Sequence, residues 1–187
     1  MDVTSLEIPE IKVIVPRRFG DSRGYFCETF NKRAFAEATG FDLEFVQDNH
    51  SLSAEVGTLR GLHFQAPPHA QDKLVRVVRG KVFDVAVDIR KGSPTYGKWV
   101  GATLSAEKGE QILIPKGFAH AFVTLEPKTE VVYKVTDFYA PETDGGIIWD
   151  DPEIAVTWPV EGAPKLSDKD ARLPRLADLP DIFTYEG

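Results

Sequence analysis

The stretch Lys81-Val82-Phe83-Asp84-Val85-Ala86-Val87-Asp88-Ile89-Arg90 puts Phe83, Val85, Val87 and Ile89 on one face and Val82, Asp84, Ala86 and Asp88 on the other. That alternation is the pattern of a half-buried β-strand. Outward from it lie further β-rich runs at Ile11–Val15, Tyr25–Phe30, Glu44–Asn49, Thr58–Gln65, Lys73–Arg79, Lys98–Ser105, Gln111–Ile114, Ala119–Leu125 and Glu130–Phe138. Turn clusters such as Gly20-Asp21-Ser22-Arg23-Gly24 and Lys91-Gly92-Ser93-Pro94 separate them. Two segments read as helical. Lys32–Thr39 follows Asn31, a good N-cap, and stops at Gly40, a good C′ residue; Ser167–Ala171 is a short turn ended by Pro174 at the latest. Many short strands with few helices predict an all-β, mainly antiparallel fold, a double-sheet β-barrel or jelly roll.

The 187 residues are expected to form a single domain, 1–187. No apolar run exceeds three residues, whereas a membrane-spanning helix needs about 20. The start, Met1-Asp2-Val3-Thr4-Ser5-Leu6-Glu7, lacks the basic and apolar regions of a signal peptide, and the lone Cys27 has no partner for an internal disulfide. A cytoplasmic setting is expected. With 22 Lys+Arg against 29 Asp+Glu, the net charge of −7 argues against nucleic-acid binding, which needs a basic face. A small anionic ligand held by a few local cations remains open.

Of the four histidines, His69 sits in the loop Pro67-Pro68-His69-Ala70 and reads as solvated. His63 lies on a strand between Arg60 and Gln65, and His120 ends the spacing Gly109…Pro115-x-Gly117-x-x-His120. That spacing resembles the second motif of cupins, small double-sheet barrels in which this histidine often binds metal. The first motif is missing: there is no His-x-His and no carboxylate at ligand spacing after His63. A mononuclear site normally needs three or more protein ligands, so metal is the runner-up reading and none is expected. The alternative is acid–base chemistry, with His63 as base, because imidazole is the side chain that ordinarily titrates near neutral pH. Asp170 has two readings. It could orient the imidazole, or it could complete a capping box with Ser167, which spacing alone favours. Tyr133 on a strand, Lys73 at a strand start and Arg23 in a turn are each, taken alone, ordinary packing or surface residues.

Together these segments resemble the dTDP-4-dehydrorhamnose 3,5-epimerase family across nearly the whole chain. The resemblance rests on Asp21-Ser22-Arg23-Gly24-Tyr25-Phe26, Gln47-Asp48-Asn49-His50-Ser51, Leu59-Arg60-Gly61-Leu62-His63-Phe64-Gln65 and Gln71-Asp72-Lys73-Leu74-Val75. It continues through Ser93-Pro94-Thr95-Tyr96-Gly97, Pro115-Lys116-Gly117-Phe118-Ala119-His120, Trp149-Asp150-Asp151-Pro152 and Leu166-Ser167-Asp168-Lys169-Asp170.

The resemblance implies a cupin-like fold, no cofactor, and epimerisation at C3 and C5 of a dTDP-linked 4-keto-6-deoxy sugar in dTDP-L-rhamnose synthesis. It makes His63 the base, Asp170 its holder, Tyr133 the proton donor on the opposite face, and Lys73 the cation at the enolate oxygen. Ligand-binding roles fall to Arg23, Glu28, Gln47, Asn49, Arg60, His120, Asp144 and Lys169. Phe26 and Tyr139 are implied to stack on the thymine. It also implies a homodimer in which Arg23 and Phe26 serve the neighbouring pocket. Two departures stand out. Asp144-Gly145 replaces a common Glu-Arg, shortening the carboxylate's reach, and Phe64 replaces a common tyrosine, removing a hydroxyl expected beside the base. Rival readings are a mono-epimerase of an antibiotic sugar and a nucleotide-sugar-binding module without turnover.

Overall fold

Val82 to Asp88 belong to one strand of a two-sheet sandwich, in a computed structural model that describes residues 1–186. In chain order the strands are β1 (Asp2–Ser5), β2 (Lys12–Val15), β3 (Arg18–Asp21), β4 (Gly24–Cys27), β5 (Gln47–Ser53), β6 (Leu59–Gln65), β7 (Lys73–Arg79) and β8 (Lys81–Asp88). There follow β9 (Arg90–Lys91), β10 (Trp99–Ser105), β11 (Gln111–Ile114), β12 (Phe118–Thr124), β13 (Thr129–Val135), β14 (Asp144–Gly146) and β15 (Phe183–Thr184), with helix α1 (Lys32–Thr39) before β5. A six-stranded sheet runs β1-β2-β11-β7-β13-β5 and a five-stranded sheet β10-β8-β12-β6-β14. All neighbours within both are antiparallel. The fold class expected from the strand pattern holds.

The strand β8 departs from the half-buried expectation. Val82, Asp84 and Ala86 face the six-stranded sheet, in a core with Val75, Val77, Ile112, Ile114 and Val131. Val85 and Val87 face outward, yet are equally buried, because Ile147, Ile154 and Leu176 of the C-terminal segment cover that face. The six-stranded sheet is covered in its turn by α1 and its flanking loops, where Phe35 packs on Ile14, Leu74 and Leu113. The caps of α1 are as read: Asn31 Oδ1 accepts the Ala34 N–H at 3.2 Å, and Gly40 takes φ 79°.

Other boundaries move for reasons of pairing. The run read from Tyr25 stops at Cys27, where its hairpin partner β3 begins at Arg18. β13 stops at Val135, where it meets the starts of both neighbours, Gln47 of β5 and Lys73 of β7. β5 is shifted to Gln47–Ser53 from the expected Glu44–Asn49 because its ladder is set by β13. The expected turn at Ser167–Ala171 is a 3₁₀ turn over Asp170–Arg172. Among the described residues no helix is long and apolar enough to cross a membrane.

Candidate active site

Inward-pointing polar side chains of both sheets line a cleft with two lobes. The inner lobe, about 260 Å³, is walled by Ser51, Arg60, His63, Lys73, His120, Phe122, Tyr133, Ser167, Lys169 and Asp170. The outer lobe, about 410 Å³, is walled by Gln47, Asn49, Phe64, Gln65, Gln71, Tyr139 and Asp144, and shares His63, Lys73, Tyr133 and Lys169 with the inner one. His63 comes from the five-stranded sheet; Lys73 and Tyr133 come from the six-stranded sheet opposite.

His63 Nε2 donates to Asp170 Oδ1 at 2.6 Å. An ionised carboxylate only accepts, so the ring proton sits on Nε2 and the Nδ1 lone pair is left free. Asp170 is 3% exposed. Its Oδ2 also receives the Gly61 N–H at 3.5 Å, and its own N–H is capped by Ser167 Oγ at 3.1 Å. Burial raises the Asp170 carboxyl, but the hydrogen bond and charge of His63, with Gly61 and Ser167, outweigh it and hold the group below the usual carboxylate range. The capping box expected of Ser167 and Asp170 is half made: Ser167 Oγ takes the Asp170 N–H, while the carboxylate bonds to His63 and Gly61. Gly61 has φ 124°, and a Cβ there would lie 2.5 Å from Ala121 Cβ and His120 O. Only glycine lets β6 run this close to β12 beneath the dyad.

Lys73 is 9% exposed, and its Nζ donates to the His63 carbonyl at 3.3 Å. Burial lowers its pKa to about 8, against the opposing pull of Asp144 and Asp84. Burial raises the Tyr133 phenol, outweighing the nearby Arg60 guanidinium, and Asp144 adds to the rise. Tyr133 is thus held as a neutral donor. His120 stands opposite His63 in the β12–β6 ladder, and its Nε2 donates to both oxygens of the fully buried Asp84 at 3.0 Å.

At the outer lobe, Tyr139 Oη donates to Asp144 Oδ2 at 3.3 Å, and Lys169 Nζ pairs with the same oxygen. The shorter Asp144 carboxylate thus still reaches both. Gln47 Nε2 donates to Asn49 Oδ1 at 2.9 Å, and Gln47 Oε1 accepts the Tyr139 N–H at 3.1 Å. Arg60 donates to Ser53 Oγ at 3.1 Å and to the Leu52 carbonyl at 3.2 Å.

One expectation is corrected. Phe64 helps line the outer lobe next to His63, but alternation along β6 turns its ring to the other face, where it packs edge-on to Phe183 at 6.2 Å, so a hydroxyl on that ring would not stand beside the imidazole. The two departures touch each other there, because a Cβ on Gly145 would lie 2.7 Å from the Phe64 ring. His69 keeps a partly exposed ring, as its loop suggested, and its Nδ1 donates to Asp137 Oδ2 at 3.2 Å. Arg23, Phe26 and Glu28 do not line this chain's cleft; Arg23 and Phe26 sit on the exposed β3–β4 hairpin and its turn, Glu28 just after it.

The sequence reading missed Asp84 and Gln65. Asp84 falls on the apolar inward face of β8, and a charge in such a row calls for a buried partner. Gln65 is 5% exposed; it donates to the Phe138 carbonyl at 2.9 Å and to the His69 carbonyl, and accepts the Ala140 N–H at 2.9 Å. It ties the loop bearing Tyr139 to the strand bearing His63. Its place two residues after His63 is the only local signal.

The sequence profile of the dTDP-4-dehydrorhamnose 3,5-epimerase family matches residues 5–178. A dTDP-4-dehydrorhamnose 3,5-epimerase of Sinorhizobium fredii is 55% identical over 181 residues, covering 97% of this chain and 92% of that one. One of Pseudomonas aeruginosa is 55% identical over 183 residues, covering 98% and 99%. The crystal structure of the dTDP-6-deoxy-D-glucose-3,5-epimerase RmlC of Legionella pneumophila, in complex with dTDP-4-keto-L-rhamnose, superposes with a TM-score of 0.95 at 44% identity, covering 100% and 99%. With a family profile spanning most of its length, relatives above half identity and the same two-sheet fold, the chain belongs to the dTDP-4-dehydrorhamnose 3,5-epimerase family.

Proposed function

We propose that this protein epimerises C3 and C5 of dTDP-4-keto-6-deoxy-D-glucose to give dTDP-4-keto-L-rhamnose, a step of dTDP-L-rhamnose synthesis. The observation that carries the reading is the placement of an oriented imidazole on one sheet and a neutral phenol with a buried ammonium on the other, around one cleft. The 4-keto group acidifies the C3 and C5 protons, because each carbanion delocalises into an enolate. His63 Nδ1 takes the proton, and Asp170 stabilises the imidazolium that forms. Lys73 stabilises the enolate oxygen. Tyr133 returns a proton from the opposite wall, which inverts the centre. These steps call on neither a redox group nor a metal. Arg60, His120, Gln47, Asn49, Asp144, Lys169 and Tyr139 bind the nucleotide sugar along the two lobes.

The β3–β4 hairpin supports a homodimeric reading. Phe19 and Phe26, paired across it, are 52% and 70% exposed on one face, and Tyr25 is 60% exposed on the other, exposed aromatics of the kind that mark an interface. Seated on a second copy, it brings Arg23, Phe26 and Glu28 to the partner's cleft. The lone Cys27 and a nucleotide-sugar substrate fit a cytoplasmic, single-domain enzyme.

The test is turnover of dTDP-4-keto-6-deoxyglucose in deuterated water, followed by NMR. Label at C3 and C5 in an L-rhamno product is expected. Label at one carbon alone would make it a mono-epimerase, and no label in a protein that binds the ligand would make it a binding module. Tyr133→Phe is expected to keep substrate affinity and solvent exchange while product formation falls by about 10²-fold, the usual share of one proton-transfer group. Lost affinity with intact chemistry would instead assign Tyr133 to positioning.

A further inference from the structure

We infer that Ser51 is a substrate contact, its hydroxyl hydrogen-bonding an oxygen of the sugar unit in the inner lobe; this rests on the epimerase reading above. The inward row of β5 is Gln47, Asn49, Ser51 and Ser53, by alternation. The first two bond to each other, and Ser53 Oγ accepts from Arg60. Ser51 Oγ, between them, is buried and has no hydrogen-bond partner; among the described residues it is the one buried side-chain polar atom in that state. A buried hydroxyl left unpaired is unfavourable, and native proteins keep few such groups without reason.

Its position supplies the reason. Ser51 lines the inner lobe with His63, Lys73 and Tyr133, and does not line the outer one. In the β5–β13 ladder Asn49 stands opposite Tyr133 and Ser51 opposite Val131, so Ser51 is the next inward group along the wall from the proton donor. A hydroxyl both donates and accepts, and the hexose presents both hydroxyl and ring or keto oxygens. The contact therefore belongs to the sugar and not to the nucleotide, which the outer lobe serves.

The experiment compares wild type and Ser51→Ala for turnover of dTDP-4-keto-6-deoxyglucose, for affinity toward dTDP alone, and for thermal midpoint. Loss of one neutral hydrogen bond predicts a kcat/KM lowered by about 5- to 10-fold. The dTDP affinity should be unchanged, and the midpoint unchanged or higher, because no protein partner is lost. Wild-type kcat/KM in the variant would overturn the assignment, whether or not the midpoint fell. A parallel loss of dTDP affinity would overturn it too, by placing the effect on the nucleotide or the fold. If wild type itself failed to turn over the keto sugar, the epimerase reading would fall and this contact with it.

Discussion

Replacing His63 by alanine is expected to lower kcat by about 10³- to 10⁴-fold, near the upper range for a general base, with KM nearly unchanged. Exchange of solvent deuterium into C3 and C5 should fall with it, since proton removal precedes every later step. The size follows from the site's construction. The imidazole lines the cleft while its Nε2 is fixed at 2.6 Å on a buried carboxylate, which leaves Nδ1 as its one nitrogen without a partner among the described residues. Alanine also strips Asp170 of its main donor, so part of any loss could reflect a weakened fold. His63→Asn separates the two effects. Its amide can still donate toward Asp170 but has no basic nitrogen, so it should hold the thermal midpoint and lose activity to the same extent. Wild-type exchange at C3 and C5 in a folded His63→Asn would remove His63 from the chemistry.

Local patterns revealed much of this architecture, and where they failed they lacked contacts distant in the chain. Alternation marked β8 and told its two faces apart, though the strand ends at Asp88 and Arg90 passes into β9, short of the run read to Arg90. It did not show that both are covered, because the covering residues Ile147, Ile154 and Leu176 lie in an irregular segment far along the chain. α1 was legible to the residue because both of its stop signals are local. β14, Asp144-Gly145-Gly146, was not: it has no strand propensity, and its state is imposed by pairing with Gln65, Phe64 and His63.

The site divides in the same way. His63 and His120 stood out by their neighbours in sequence; of their carboxylate partners, Asp170 was one of two open readings until the family resemblance joined it to His63, and Asp84 was not seen at all. Asp170 lies 107 residues from His63 and Asp84 36 residues from His120. No spacing rule connects such pairs; only the closing of one sheet over the C-terminal turn, and of β12 against β8, does. Phe64 taught the converse. Adjacent to His63 in sequence, it turns its ring to the other side of the sheet, and the alternation already visible in the sequence predicts that.

Lys73→Met is expected to lower kcat by about 10²- to 10³-fold, the usual loss for one group stabilising an oxyanion, and to make the protein more stable at neutral pH. Both follow from one buried ammonium. Its folded pKa is about 8, against about 10.4 unfolded. Below pH 8 both states hold the proton, and the native state bears the full penalty of a desolvated charge, on the order of 3 kcal/mol. Between the two values the unfolded chain binds more protons than the native one, so stability rises with pH through that window. Methionine has no such charge, so its stability advantage over wild type should be largest below pH 8 and close by about pH 10 to 11. Activity has the opposite slope. A neutral amine cannot balance an enolate oxygen, so wild-type kcat should decline as pH rises past about 8. Tyr133, raised by burial, still keeps its proton there, while Asp84 and Asp144 work to keep Lys73 charged. An enzyme that gains stability while losing turnover over the same alkaline range identifies the ammonium as strained for function. Flat kcat from pH 7 to 10, or a fully active Lys73→Met, would return Lys73 to a packing role.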